Sequence, residues 1–351
     1  MPPAKDAPGA PQYSTAYRNG VLWLLVLAYT FNFIDRTIIS TIGQAIKVDL
    51  KLSDQQLGWL GGLSFALLYT ALGIPIARLA ERVSRVNIIS IAIVIWSAFT
   101  ALCGTATSFL QLLLFRVGVG VGEAGLSPPA HSLISDLFES KKRATALSIY
   151  SFGIPLGTMF GAMAGGWIAE HLSWQAAFMV VGLPGVLVAI AIKVFVKEPP
   201  RGWADRHLQP LAEESPGALG REASEAGAPS EALEPPPSIR SVAKRLFGSW
   251  GMFHMVAGIT MASFAGYGTG NYGPAYFIRE FGLSLGIVGL AIGLIAGLSN
   301  GAGTLLGGFL TDWASKKSVR WYALVPAIGL ILATPIYIFA YTRESYQLAW
   351  A

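Results

Sequence analysis

The sequence predicts an all-α protein that crosses a membrane many times. Three observations carry this. Of the 351 residues 53% are hydrophobic and only 13% charged, with a mean hydropathy of +0.52. Apolar runs of membrane-spanning length recur along the chain, and most basic residues gather in the segments between them. A soluble protein of this size carries about a quarter charged residues, so a cytosolic globule, a disordered tail protein and a coiled coil are excluded. The net charge of +5 does not point to nucleic acid, because its basic residues sit in loops between apolar runs. The single cysteine, Cys103, lies inside such a run, which excludes an internal disulfide and a cysteine-based metal cluster.

A bilayer core takes about 20 apolar residues per helix, and nine runs reach that length. The first, 21–45, holds Asp35-Arg36; it is too long for a cleaved signal peptide, and no small-residue cleavage site follows. The second, 55–77, contains Pro75, and the third is 86–106. The fourth, 109–133, contains Arg116 and Glu123, with Pro128-Pro129 expected to set its cytoplasmic end. The fifth, 144–169, is glycine-rich and holds Pro155; the sixth, 174–196, holds Pro184. Prolines at such positions kink or locally unwind a helix. Runs at 250–277, 286–311 and 321–342 complete the set.

With the N-terminus in the cytoplasm, nineteen of the 25 lysines and arginines fall inside and four outside (Lys47, Lys51, Arg279, Arg343); Arg36 and Arg116 lie within spans. This bias sets the expected orientation. Residues 198–249 break the apolar pattern with eight of the 20 prolines and many Glu, Ala, Gly and Ser. They read mostly as a flexible cytoplasmic linker. A basic stretch in it, Ser238–Leu246, is either a short surface helix or a solvated charge run. The expected domains are therefore a six-helix bundle over 1–197, the linker over 198–249, and the first three helices of a second bundle over 250–351.

A shift of 231 residues aligns two segments without gaps: Leu52-Ser53 on Leu283-Ser284, Gly58 on Gly289, Gly62-Leu63 on Gly293-Leu294, Leu79 on Leu310, Glu81 on Asp312, and Arg85 on Lys316. The second span thus repeats as the eighth, a construction many transporters use around a central site. Ala77-Arg-Leu-Ala-Glu-Arg-Val-Ser-Arg85 resembles the loop signature G-x-L-A-D-R-x-G-R of the major facilitator superfamily, with Ala, Glu and Ser replacing the first Gly, the Asp and the second Gly. Gly308–Lys316 resembles its second-half counterpart. Arg116-x₃-Gly120 and Gly153-Ile-Pro155-Leu-Gly157 resemble the fourth- and fifth-helix motifs. Phe33-Ile-Asp35-Arg36, Arg116–Ala124, Pro199-Pro-Arg201-Gly and Asn271–Tyr276 are similar to the spinster branch. The resemblance implies the major facilitator fold of two six-helix bundles. Since that superfamily has twelve spans and this sequence stops after the ninth, it is expected to be a fragment lacking about 90 residues, at about 20 per span plus loops.

Four ionisable residues lie within apolar runs: Asp35, Arg36, Arg116 and Glu123. A charge at the bilayer centre costs at least about 2.5–3.5 kcal/mol, so such residues face a cavity and usually work. The alternative is a buried pair that only fixes packing. Arg116 and Glu123, seven apart, share a helix face. Asp35 and Glu123 are the candidate proton-coupling residues. Arg36 and Arg116 are expected to tune them or to hold an anionic head group, and the spinster resemblance points to the same set. The second-half equivalent of Asp35 is Gly266. Tyr150, Tyr267 and Asn271 are weaker substrate-site candidates. Glu81, Arg82, Arg85, Asp312 and Lys316 are the candidate gate-loop residues.

Gly153, Gly157, Gly161 and Gly165 recur every fourth residue in the fifth span, as do Gly289, Gly293, Gly297 and Gly301 in the eighth. Small residues at that spacing let helix backbones approach closely. Because these two helices face each other in the superfamily, both tracks are expected at a moving seam between bundles; packing within one bundle is the alternative. Gly120-Val-Gly122-Glu-Ala-Gly125 matches a dinucleotide pattern but lies mid-span with no strand before it, so it is set aside. Ser127 and His131 lack an orienting acid. The four histidines are scattered, so no metal site or cofactor is expected.

The expected protein is a proton-coupled secondary transporter, working by alternating access as a monomer in the inner membrane, and not an enzyme. The branch resemblance implies a lipid-like substrate such as a lysophospholipid or phosphorylated sphingoid base; a small organic anion, sugar acid or drug-like molecule is the other substrate class. A membrane enzyme or receptor would need a catalytic constellation at one depth, and none is seen.

Overall fold

The computed structural model describes residues 13–204, 241, 248–318 and 320–342, and every regular element among them is helical. Helix α1 (Thr15–Asp49) starts at Ser14, whose hydroxyl accepts from the Tyr17 N–H and caps the first turn. Its 35 residues span about 52 Å at 1.5 Å each, so its ends project beyond a bilayer core. The second apolar run is not one α-helix. Helix α2 (Asp54–Gly58) opens with a capping box from Ser53 and Gln56, a π-helical turn follows at Trp59–Leu63, and α3 (Ser64–Ala80) continues.

Helix α4 (Arg85–Cys103) follows, and then the fourth run splits into α5 (Phe109–Glu123) and α6 (Ser127–Leu137). The expectation for Pro128-Pro129 is corrected here. Both prolines lie in the first turn of α6, where a missing N–H costs little, and the span runs on to Leu137. The fifth run is also two helices, α7 (Ser140–Ser151) and α8 (Gly153–His171), parted at Phe152 just ahead of Pro155. Helices α9 (Trp174–Phe195), α10 (Trp250–Phe281), α11 (Leu285–Ser315) and α12 (Trp321–Tyr341) complete the described chain.

Among the described residues, seven stretches are long and apolar enough to cross a membrane: Thr15–Asp49, Arg85–Cys103, Phe109–Leu137, Ser140–His171, Trp174–Phe195, Leu285–Ser315 and Trp321–Tyr341. The two other expected spans fall short for visible reasons. The π turn leaves α3 with 17 residues, and α10 is diluted by Thr260, Ser263, Thr269, Asn271 and several glycines. The basic stretch Ser238–Leu246 and the linker from 205 onward lie outside the described residues, apart from Ser241.

On α1, Val21, Leu25, Ala28, Asn32, Asp35, Ile39, Ile42 and Ile46 are all buried, at alternating steps of four and three. That is one continuous face, and its only polar members are Asn32 and Asp35. Helix α8 packs on α1 with one side and on α11 with the other. Apolar side chains of α10, α11 and α12, such as Phe264 (85%), Phe309 (69%) and Ile331 (71%), remain exposed, and α12 buries none of its residues. Exposure of this kind carries no penalty in lipid.

The loops with Arg85, Lys142 and Lys316 mark one end of the molecule, the basic end; Asp54, His171 and Gly282 mark the far end. The two halves meet toward the far end. There a side chain at Gly289 or Gly293 would overlap the α8 backbone at Ala162 or Met159, and one at Gly297 would overlap Met159. Toward the basic end, Gly303, Gly307 and Gly308 of α11 have open space beside them.

Candidate functional site

Two glycine stripes place the membrane charges. On α5, a side chain at Gly118 would overlap the Phe99 ring, and one at Gly122 would come within 2.9 Å of the Trp96 backbone. These glycines, with Gly125 against Ala92, let α5 lie almost directly on α4, so Gly122 and Gly125 of the dinucleotide-like pattern serve packing. On α8, Gly153, Gly157 and Gly161 face the α1 backbone at Val26, Thr30 and Ile34, and Gly165 faces Ile38. This corrects the seam expectation for Gly153, Gly157, Gly161 and Gly165. That track packs inside the first bundle, and the α8 residues at the seam are Met159, Ala162, Met163 and Gly166. In the eighth-span track, Gly289, Gly293 and Gly297 face α8 at Ala162, Met159 and Met163; Gly301 is looser, 3.9 Å from Phe152 and Pro155.

With α1 turned this way, Asp35 faces α4 and α5. Its Oδ1 accepts from Thr100 Oγ1 at 2.6 Å and its Oδ2 from an Arg116 terminal nitrogen at 2.9 Å. Both side chains of that ion pair are 1% exposed. Arg36, the next residue, points elsewhere: its Nε donates to Glu123 Oε2 at 2.6 Å. The two pairs are therefore crossed between helices, and Arg116 and Glu123, which share a face of α5, pair with α1 residues rather than with each other. A guanidinium on α5 reaches Asp35, and a guanidinium on α1 reaches Glu123.

The pairs differ in access. Glu123 is fully buried and its second oxygen, Oε1, has no hydrogen-bond partner, while the Arg36 side chain is 17% exposed. Arg36 also lies over two aromatic rings, 5.0 Å from the Phe33 centroid and 4.7 Å from that of Tyr69. Asn32, one turn from Asp35, is 1% exposed with neither amide atom hydrogen-bonded. Sequence reasoning passed over it and Thr100; the alternating four-and-three spacing along α1 was the available signal for Asn32.

The weaker candidates do not join this cluster. Tyr150 is buried and stacks on Tyr29, centroids 4.4 Å apart, with its edge to His131. Tyr267 is 62% exposed on α10. Asn271 packs at the bundle interface, its amide oxygen 2.8 Å from where a Gly61 side chain would start.

At the basic end, Arg85 is fully buried. It is ion-paired with Asp136 of α6, donates to Glu198 Oε1 at 2.6 Å and Ser132 Oγ at 2.9 Å, and reaches the Pro199 carbonyl at 2.9 Å. Gly202 N–H donates to Asp136 Oδ1 at 2.9 Å, and Trp203 meets the Tyr13 ring edge to face. The first residues of the expected linker, 198–204, are thus strapped to the first bundle. Burial pushes the Glu198 carboxyl up, but hydrogen bonds from Val86 N–H, Arg85 and Ser84 outweigh it and hold it below its ordinary value. Glu81, Arg82 and Lys316 are exposed, and the side chain of Asp312 lies outside the described residues. Among the described residues no group of three His, Cys, Asp or Glu could hold a metal.

Bundled membrane helices with crossed charge pairs inside, joined along a glycine seam, define a membrane transporter. The chain belongs to the Major Facilitator Superfamily, whose family model matches residues 25–351. Its structure superposes on the crystal structure of a bacterial homolog of the human lysosomal transporter spinster, in an inward-facing and unoccupied conformation. The TM-score is 0.77 at 34% identity, covering 96% of this chain and 71% of that one. An MFS-type efflux pump of Mycolicibacterium smegmatis is 30% identical over 93% of this chain and 70% of its own length. A hexuronate transporter of Bacillus subtilis is 27% identical over 86% of this chain and 66% of its own. The chain thus spans about two thirds of the length of these relatives. They are transporters, and the chain is a spinster-like multi-pass member of their family rather than an enzyme.

Proposed function

We propose that this chain acts in proton-coupled transport across the inner membrane, as a monomer by alternating access, with its N-terminus in the cytoplasm. The observation that carries the reading is the Arg36–Glu123 pair, one partner partly exposed and the other wholly buried. An anionic head group drawing Arg36 away would leave Glu123 a lone buried charge. Breaking such a pair costs about 3–5 kcal/mol, and a proton on the carboxylate relieves it. Substrate binding and proton uptake are then linked, and the linkage is reciprocal. Asp35, with both oxygens occupied, holds Arg116 and the helix packing.

The substrate class implied by the spinster resemblance is supported by Arg36 lying against Phe33 and Tyr69. A cation framed by aromatic faces suits an anionic head with an apolar tail, a lysophospholipid or phosphorylated sphingoid base. A sugar acid is the second reading, supported by the likeness to the hexuronate transporter. Glu81, Arg82, Arg85, Asp312 and Lys316 would serve the basic-end loops of the gate.

Uptake of both substrate classes into proteoliposomes, with and without an imposed pH gradient, tests this. Accumulation that follows the gradient supports coupling; equal uptake without it would leave a facilitator. A reporter fused within 205–230 should read cytoplasmic, and one between Lys47 and Leu52 external.

A further inference from the structure

The seam is closed at the far end by residues that the charge pairs do not account for. Asp54, at the start of α2 in the first bundle, accepts on Oδ1 from Lys47 Nζ and from an Arg279 terminal nitrogen, each at 2.7 Å. Arg279 belongs to α10, and its Nε also donates to Gln44 Oε1 of α1 at 2.7 Å. Two turns back on α10, Tyr272 donates its hydroxyl to the Asp54 main-chain carbonyl at 2.9 Å. That hydroxyl occupies the space a side chain at Gly58 would need, as Asn271 does for Gly61. The glycines in and before the π turn therefore form a seat for α10.

On the other flank, Glu170 near the end of α8 accepts the Gly286 N–H. That donor lies in the first turn of α11, where no carbonyl of the same helix can reach it, and a carboxylate there also suits the helix dipole. Beneath it the helices cross at Gly166 and Gly289 with no side chain between; a Cβ on either would come 3.0 Å from the Cα of the other.

We propose that Asp54 and Glu170 are the two latches of a far-end gate, each a first-bundle carboxylate holding a second-bundle helix, and that both release when the cavity opens at that end. The inference rests on the alternating-access reading above. Lys47 and Arg279 are two of the few basic residues that depart from the basic bias, and both converge on Asp54. The Asp54 side chain is 54% exposed, so its pairs are screened and individually weak. A contact that must open on every cycle needs that property, which the buried Arg116–Asp35 pair lacks.

The test uses the full chain with Cys103→Ala and Tyr267→Cys, reconstituted in vesicles and labelled by a membrane-impermeant maleimide from each face separately. The parent should label about tenfold faster from the basic-end face, as expected where one state dominates. Asp54→Asn combined with Glu170→Gln should raise the far-face rate about fivefold, the most that weak exposed contacts provide, and lower the basic-face rate. Asp54→Glu should keep the parent pattern. Unchanged rates from both faces in the folded double variant overturn the proposal. If that variant does not fold, Arg279→Gln decides: about a twofold rise supports the latch, and no rise overturns it. Equal labelling from both faces in the parent also overturns the gate. Absence of gradient-driven uptake by the unsubstituted protein would instead sink the coupling reading and leave the labelling difference standing.

Discussion

Asp35 and Glu123 are both buried carboxylates paired with arginine, yet their oxygens are not equally occupied. Asp35 has a partner on each oxygen, whereas Glu123 leaves Oε1 without one. Removing the Asp35 charge strands Arg116, so Asp35→Asn and Arg116→Ala should each destabilise the protein by about 3–5 kcal/mol, seen as a lower melting temperature in detergent. Glu123→Gln should behave differently: fold, bind substrate, keep exchange between equal pH compartments and lose gradient-driven accumulation. Accumulation equal to the parent's would move the proton site to Asp35. All four charges were legible in the sequence because charge is rare in apolar runs. Their pairing was not, because two residues seven apart on one helix look like partners until a second helix supplies closer ones.

The helices show the same division between pattern and partner. Two glycine tracks with one spacing, in helices three apart in the chain's order of spans, have different neighbours. Gly157 would drive a side chain into Phe33 and the Thr30 carbonyl, while Gly293 would meet Met163 and the Met159 carbonyl across the seam. Gly157→Leu should therefore cost folded yield, by about 1–3 kcal/mol or more of overpacking. Gly293→Leu should leave the first bundle intact and slow transport instead. Comparing melting temperature with turnover for the two variants separates the roles, and loss of stability in both would erase the distinction. Periodicity reports that a face is small; it does not say which helix lies on it. The π turn at Trp59–Leu63 was invisible for a related reason, since its apolar run reads as an uninterrupted span.

Across the whole molecule, the nine apolar runs, their order and the break after the sixth follow from composition alone, since a bilayer accepts few alternatives to helices. The strap over 198–204 does not. Proline and glutamate there suggest a loose linker, but Glu198 and the Pro199 carbonyl join Asp136 and Ser132 in satisfying the buried Arg85. Because the Glu198 carboxyl is held below its ordinary value, the strap is stabilised above that value and lost as pH falls through the lowered one. Hydrogen exchange of the Val86 and Gly202 amides, corrected for intrinsic rate, should be slow at neutral pH and quicken only once the pH falls below the ordinary glutamate value, about 4.3. In Glu198→Gln it should already be fast at neutral pH. Slow exchange in that variant would show that Arg85 and Asp136 hold the strap without it.

The position of α8 between α1 and α11 has an evolutionary consequence. A helix with both sides occupied has little room to drift. Gly157, Gly161, Gly165 and Gly166 face neighbouring backbone or closely packed side chains, whereas Phe160 and Trp167, about half exposed, do not. A saturation library selected for transport should therefore retain only small residues at the first four positions and any large apolar residue at the last two. Helix α12, with nothing buried against the described chain, should accept apolar exchanges along most of its length. The rate at which this protein diverges would then differ sharply between two helices of similar length and hydrophobicity, set by how many neighbours each must satisfy.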